Sequence, residues 1–259
     1  MSKLEGKVAC ITGGTRSIGK AMAEAFLAEG ARVVINGRDE AKGRQALVEL
    51  QAGDRAVFYA GDATKQAAVE GLVDFTIETF GHLDICCLNS GGVLNTAPVV
   101  DMTDEEWTLE VDWNLNQVFW GMRRALRHML PRHSGRILVT SSVEGKLGKP
   151  GIAGYVATKH AVNGLVKAAA KEVGSHGITI NALLPGLVET DILLQNGPES
   201  ARAMGLTYEE MVGQFTRESS IQRPNTVEEV AAVAVLLASD AARNITGCLF
   251  PVDGGTMPY

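Results

Sequence analysis

Tyr155 and Lys159, four residues apart in Gly154-Tyr155-Val156-Ala157-Thr158-Lys159, have the types and spacing for proton chemistry. The segment after them, His160 to Val173, is rich in Ala, Val and Leu and lacks proline, so it reads as a helix. Residues i and i+4 share a helix face, and the phenol and the ammonium then point into one pocket. A phenol with its ordinary pKa of about 10 is a poor base at neutral pH. A fixed positive charge beside it favours the phenolate and lowers that pKa. The pair becomes a proton donor and acceptor poised near working pH. Taken alone, Tyr-x-x-x-Lys also describes an ordinary helix with a buried Tyr and a snorkelling Lys, so the rest of the chain has to decide.

Two more polar groups stand where a pocket would form. Arg136 to Thr140 reads as a strand ending at Ser141-Ser142. In an open α/β sheet ligands bind beyond the carboxyl ends of the strands, so a serine there faces the pocket. Asn114 lies inside a helical stretch that opens at a capping box, Thr103 and Glu106, and runs with a kink to Leu130 before Pro131. A mid-helix Asn ordinarily points at solvent or at a backbone carbonyl.

The elements that must position these groups alternate. A strand, Val8 to Thr12, runs into Thr12-Gly13-Gly14-Thr15-Arg16-Ser17-Ile18-Gly19, and a helix, Lys20 to Glu29, follows. Strand, glycine-rich turn and helix are the setting of a phosphate loop, because backbone N–H groups approach a pyrophosphate only where side chains are absent. Strands then follow at Arg32 to Asn36, Arg55 to Tyr59, Leu83 to Leu88, Ile178 to Leu184 and Gly247 to Val252. Helices are expected over Asp39 to Leu50, Lys65 to Phe80 and Thr226 to Ser239, the last with a capping box at Thr226 and Glu229. Short joints and near-continuous apolar strands predict a Rossmann-type α/β fold: a doubly wound, parallel, seven-stranded sheet with helices on both faces. Pro251 places the last strand at an edge.

Residues 187–225 break the rhythm. The segment has weak helical pieces with Met204, Leu206, Met211, Val212 and Phe215, and long loops in compact domains are commonly lids. Without repeat or linker, residues 1–259 are expected to form a single dinucleotide-binding catalytic domain with a substrate lid around 187–225. The Tyr155 helix is apolar almost all round, so a second surface, a neighbouring subunit, is expected to cover its outer side.

Composition narrows the function. With 46% hydrophobic and 21% charged residues and a net charge of -6, the chain has no nucleic-acid footprint. No apolar run reaches the roughly 20 residues of a membrane span, and the first residues lack a signal-peptide core; a cytoplasmic location is expected. Cys10, Cys86, Cys87 and Cys248 lack metal-ligand spacing and are expected to be buried free thiols. Arg123, Arg124, Arg127 and Arg132 form a basic run, read as a solvated helix face, with a dock for an acidic carrier protein as the alternative.

The whole chain resembles the short-chain dehydrogenase/reductase family. The resemblance rests on Thr12-Gly13…Gly19, the Asn89 turn, Asn114, Ser142, Tyr155/Lys159, Asn181, Pro185-Gly186, Thr190 and Val252-Asp253-Gly254-Gly255. It selects Ser142 over Ser141, by the interval to Tyr155. It implies hydride transfer at a nicotinamide, with Asn114, Ser142, Tyr155 and Lys159 as the catalytic four and no metal. Tyr155 exchanges a proton with the substrate oxygen, Ser142 hydrogen-bonds that oxygen, and Lys159 lowers the Tyr pKa and holds the nicotinamide ribose. Asn114 holds a water on a proton path. It also implies cofactor contacts from Gly13, Thr15, Arg16, Ser17, Ile18 and Gly19, from Arg38, Asp62, Ala63 and Asn89, from Tyr155 and Lys159, and from Pro185, Gly186, Val188 and Thr190. Two positions depart from the family: Ser17 replaces a loop glycine, and Leu88 replaces the first Asn of an Asn-Asn-Ala-Gly turn.

Cofactor choice turns on the end of the second strand. Gly37 stands where NAD-dependent relatives carry Asp, and Arg38 follows, with Arg16 across the same ribose. Two guanidiniums suit a 2′-phosphate, so NADP(H) is expected to be preferred, with NAD(H) as the alternative. The expected substrate is a small carbonyl or secondary alcohol with an apolar body. A 3-oxoacyl-carrier-protein reductase is the alternative, and a non-catalytic dinucleotide-binding sensor or scaffold the rival of another class. The expected assembly is a homotetramer, without nucleic-acid or membrane partners.

Overall fold

The seven strands are β1 Val8–Ile11, β2 Arg32–Gly37, β3 Ala56–Ala60, β4 Ile85–Leu88, β5 Gly135–Thr140, β6 Ile178–Pro185 and β7 Leu249–Val252. The structure, a computed structural model, describes residues 2–203 and 205–256. β1, β4 and β6 are buried at every position, as strands covered on both faces must be. All pairings are parallel and the order is β3-β2-β1-β4-β5-β6-β7. Cys10 of β1 lies between Val34 of β2 and Cys86 of β4. The chain runs outward from β1 to β3 and returns to β4 on the other side of β1. That reversal leaves a crevice above the carboxyl ends of β1 and β4, where α/β proteins bind ligands. β7 pairs with β6 alone, so Pro251 sits on an edge as expected.

The helices are α1 Ser17–Ala28, α2 Glu40–Leu50, α3 Gln66–Phe80, α4 Asp104–Val111, α5 Gln117–Met129, α6 Ala153–Val173, α7 Asp191–Ala203, α8 Tyr208–Thr216 and α9 Val227–Ala238. They cover both faces. Phe26 and Met22 of α1 and Val230 and Ala234 of α9 pack with Ile35 of β2 on one side. Leu72 of α3, Val118 and Met122 of α5, and Val162 and Val166 of α6 pack with Leu88 of β4 on the other. Each such large side chain contributes about 1.5–3 kcal/mol on burial. Capping boxes open α4 at Thr103/Glu106 and α9 at Thr226/Glu229, as expected, and a third opens α8 at Thr207/Glu210.

Three expectations need correction. The stretch from Thr103 to Leu130 is two helices joined by a π-helical turn, Asp112–Asn116. The basic run is not simply solvated: Arg123 pairs with Glu70 at 2.6 Å, Arg124 with Asp74 at 2.6 Å and Arg132 with Asp84 at 3.5 Å. Three of these arginines therefore bind carboxylates of the chain itself. Cys10, Cys86 and Cys87 are buried, but Cys248 is exposed, because it lies just before the short edge strand. The outer side of α6 is uncovered within one chain, with Ala157, Ala161 and Ala168 exposed. Residues 187–225 hold α7 and α8; Met204 and the closing Met257-Pro258-Tyr259 lie outside the described residues.

Candidate active site

The turn between β1 and α1 is shaped by close approach. Gly13 has φ +64, and a Cβ there would meet Ser90 Oγ at 2.9 Å. Gly19 lies against the Gly13 carbonyl and the Asn89 amide with no room for a methyl group. Ser17 has φ +49, the left-handed backbone that favours glycine. Ser17 therefore takes the conformation a glycine would take. α1 has no side-chain N-cap and no acidic residue in its first turn. Its first N–H groups are left for an anion, at the positive end of the helix dipole. A carboxylate already uses this place: Asp191 Oδ2 accepts from the Ser17 N–H at 3.3 Å and from its hydroxyl at 3.4 Å. Arg16, Ile18 and Thr15 border the same turn. The cradle fits a pyrophosphate.

At the far end of the crevice, Gly37 closes β2. A Cβ on Gly37 would meet Thr15 Cγ2 at 2.7 Å, so Thr15 fills the space a longer residue would need. Arg16 and Arg38 are exposed, and no hydrogen bond or ion pair engages either guanidinium among the described residues. Asp39 is engaged at the start of α2: its Oδ1 accepts from the N–H of Ala41 at 2.9 Å and of Lys42 at 3.1 Å, capping the helix. The Lys42 N–H bond is the main reason its carboxyl is held below the usual range. Asp62, beyond β3, accepts from the Thr64 N–H at 3.0 Å in a tight turn, and Ala63 beside it is buried.

Asn89 joins three strand ends. Its amide donates to Thr12 O at 3.1 Å, and its Oδ1 accepts from Thr140 Oγ1 at 2.9 Å. Its side chain thereby braces the crevice. Leu88 is buried in the core against Gly121, so it makes no polar bridge. Gln117, fully buried, bridges instead: its amide donates to Ser90 O at 2.9 Å, and its Oε1 accepts from Thr12 Oγ1 at 3.4 Å.

The catalytic candidates converge on the carboxyl ends of β4 and β5. Lys159 is 2% exposed and its Nζ donates to Thr140 O at 2.9 Å, with the Tyr155 ring centroid 5.4 Å away. The Ser142 hydroxyl is near enough to the Tyr155 phenol to pull its proton affinity down, and its Oγ accepts from the Glu144 N–H at 3.1 Å. Asn114 is completely buried in the π turn, not turned to solvent. π turns inside helices recur at functional sites because they redirect backbone groups. A Cβ on Gly91 would meet both Asn114 Oδ1, at 2.6 Å, and Lys159 Nζ, at 3.3 Å. Asn114 and Lys159 therefore flank the same backbone point.

Burial sets the proton affinities here. The Lys159 ammonium is lowered from 10.5 to about 8 by desolvation, against an opposing pull from Glu110. The Tyr155 phenol is pushed up to about 12, mainly by burial, with Ser142 pulling it down and Glu144 and Glu110 pushing it up. The expected lowering of the phenol is thus reversed in this state, since desolvation outweighs the pull of Ser142.

The residues that follow β6 border the same crevice. Pro185 ends β6, and Gly186 packs on Asp253, where a Cβ would lie 3.0 Å from its Cα. Val188 is buried and bridges to Asn225, which ties together the two ends of residues 187–225. Thr190 Oγ1 accepts from the Leu193 N–H at 3.2 Å and so starts α7. Sequence reasoning missed Gln117, Asn163 and Glu110. Asn163 on α6 accepts from Ser141 Oγ at 2.7 Å and donates to Gly145 O at 2.9 Å, holding the Ser142 turn. The signal for all three was a polar residue on an inward helix face, which by itself names no partner.

A family model described as enoyl-(acyl carrier protein) reductase matches residues 13–257, nearly the whole chain. The chain belongs to the short-chain dehydrogenase/reductase family. As a member it is an oxidoreductase that acts on hydroxyl and keto groups with a nicotinamide dinucleotide. It is similar to a 3beta-hydroxysteroid dehydrogenase of Mediterraneibacter gnavus, 34% identical over 100% of this chain and 98% of that one. It is 36% identical to (+)-borneol dehydrogenase 2 of Salvia officinalis, over 98% of this chain and 90% of that one. It is 33% identical to a 3-oxoacyl-[acyl-carrier-protein] reductase of Chlamydia muridarum, over 98% of both chains. Among the described residues no helix is long and apolar enough to cross a membrane, and no group of side chains could hold a metal ion.

Proposed function

We propose that this oxidoreductase interconverts a neutral, apolar secondary alcohol and its ketone, prefers NADP(H), and works through Tyr155, Ser142, Lys159 and Asn114. The observation that carries the reading is the convergence of buried Asn114, Ser142 and Lys159 on half-buried Tyr155, beside an uncapped, anion-ready α1 terminus. The phosphates would be held by the turn from Gly13 to Gly19, and Pro185, Gly186, Val188 and Thr190 would border the nicotinamide. The dinucleotide supplies or takes the hydride when bound. In ketone reduction Tyr155 gives its proton to the carbonyl oxygen, and a phenol pushed up to about 12 stays protonated for that step. Ser142 hydrogen-bonds the same oxygen as negative charge develops. Lys159 places a positive charge beside the phenol for the reverse direction, and Asn114 orders the proton path behind it.

The substrate class follows from what faces the pocket. Val93 and Leu94 are exposed immediately after Gly92, whose N–H and C=O both bond the Asn114 amide. Their apolar side chains stand on the loop that Asn114 and Glu110 hold through the Gly92 and Leu94 backbone. Glu110 and Glu144 add negative charge toward Tyr155, which disfavours a carboxylate substrate. A neutral body such as a sterol or a terpenoid alcohol suits this lining, and the hydroxysteroid and borneol dehydrogenases among the relatives support it. The carrier-protein reading is weakened because Arg123, Arg124 and Arg132 already bind Glu70, Asp74 and Asp84. Gly37, Thr15 and the unpaired Arg16 and Arg38 support the NADP(H) preference. The uncovered Ala157, Ala161 and Ala168 of α6 support a symmetric homotetramer.

The deciding experiment is a panel of neutral hydroxysteroids, monoterpenoid alcohols, 3-hydroxybutyrate and 3-oxoacyl thioesters, run in both directions with both cofactors. Highest kcat/KM on a neutral apolar alcohol or ketone is expected. Preference for 3-hydroxybutyrate or for the thioesters would sink the substrate assignment. Tyr155→Phe run beside it should lose about 10²–10⁴-fold in turnover with cofactor still bound.

A further inference from the structure

Glu110 is a carboxylate where a helix of this kind should carry an apolar side chain. On α4, Glu105, Trp107, Thr108 and Leu109 are exposed and Glu110 faces inward, 2% exposed. Burying a carboxylate is costly unless its oxygens are matched. Here both are. Oε2 accepts from Asn114 Nδ2 at 2.6 Å, and Oε1 accepts from the Leu94 N–H at 2.8 Å. Both neighbours are N–H donors, so they select the ionised carboxylate, and the short bond to Asn114 is charge-assisted. The Glu110 stem packs on Gly154, the residue before Tyr155; a Cβ on Gly154 would lie 3.4 Å from its Cγ.

The carboxylate fixes the Asn114 amide. With Nδ2 held by Glu110, Asn114 Oδ1 is left to accept from the Gly92 N–H at 2.9 Å, which sets the Gly91-Gly92 backbone beside Lys159. Lys159 itself has no carboxylate within ion-pair distance among the described residues, and its Nζ bonds a neutral carbonyl, Thr140 O. We propose that Glu110 is a positioning residue of this active site, which orients Asn114 and supplies the counter-charge that keeps the buried Lys159 protonated. The inference rests on the reading of Tyr155 and Lys159 as the catalytic pair.

The groups that face these atoms are few. Lys159 faces Glu110 from α4 and Tyr155 on its own helix. Tyr155 faces Ser142 and Glu144 from the turn after β5, with Glu144 paired to Lys149 at 3.6 Å, and Glu110 from α4. Glu110 faces Lys159, Asn114 and the Leu94 N–H; burial pushes its carboxyl up and these three pull it back. Removing the Glu110 charge lets the Lys159 ammonium lose its proton at lower pH, and it acts in the same direction on the Tyr155 phenol. Ketone reduction needs both protons, so both effects move its alkaline limb the same way.

The test is Glu110→Gln, with Glu110→Leu in its place should the amide variant fail to fold. Lysine side chains labelled with carbon-13 at Cε report the Lys159 titration by NMR, assigned by its loss in Lys159→Met. The Lys159 transition is expected to fall by about one pH unit, the low end for an opposite charge nearby. The alkaline limb of kcat/KM for ketone reduction should fall with it, so that on that limb the variant loses about tenfold more than at pH 6. Glu105→Gln, exposed on the same helix, should leave both unchanged. A Lys159 transition at the parent pH, or a loss of rate uniform across pH, overturns the proposal. A fully active Tyr155→Phe would instead overturn the catalytic pair, and the Lys159 titration would still report on Glu110.

Discussion

Replacing Lys159 by methionine removes a buried ammonium and keeps most of its stem. The folded chain holds that proton only up to about 8, against 10.5 for an exposed lysine. At about 1.4 kcal/mol for each pH unit, the displacement costs the native state about 3 kcal/mol at pH 7. The loss of the Nζ bond to Thr140 O returns about 1 kcal/mol. The variant should therefore be about 2 kcal/mol more stable at pH 7, or roughly 5 °C higher in Tm for a domain of this size, while turnover collapses. The pH dependence has a definite sign. Between pH 8 and 10.5 the unfolded parent binds a proton that the folded parent has released, so parental stability rises through that window. The advantage of the variant is full below about pH 8 and gone above 10.5. Urea unfolding of parent and variant from pH 6 to 10.5 measures this directly. A variant less stable than the parent at pH 7, or a difference that does not change with pH, would refute the idea that Lys159 is kept for function at a cost in stability.

Four further outcomes are expected. Arg38→Leu should lower kcat/KM with NADPH by about 10- to 150-fold, the worth of a charge-assisted bond, and leave NADH nearly unchanged; steady-state rates on one ketone check it. Asp191→Ala removes the carboxylate from the Ser17 N–H, so cofactor should bind more tightly by about 2- to 10-fold, the span of a net hydrogen bond; calorimetric titration reads it. Gly19→Ala has no room against the Gly13 carbonyl, and cofactor binding should weaken at least tenfold, by the same titration. Light scattering at micromolar protein should report a tetramer, and Ala161→Glu on the uncovered side of α6 should yield smaller species.

The alternation of apolar strands with helices, the glycine-rich turn and the Tyr155–Lys159 spacing are local facts, so the fold and the catalytic candidates could be read in order along the chain. Periodicity places a residue on a face, which is why β1 to β7 and the capping boxes at Thr103 and Thr226 were legible. Tertiary structure alone decided what those faces meet. Asn114 became a buried group only because a π turn rotates it inward. Asn89 ties its side chain to Thr12 and Thr140, beyond β1 and in β5. Arg123, Arg124 and Arg132 found carboxylates far away in sequence. The proton affinities of Tyr155 and Lys159 depend on desolvation, which belongs to the assembled interior and not to any stretch of residues. Spacing supplies the pair, whereas burial, and the carboxylate of Glu110 behind it, sets the charge each member carries.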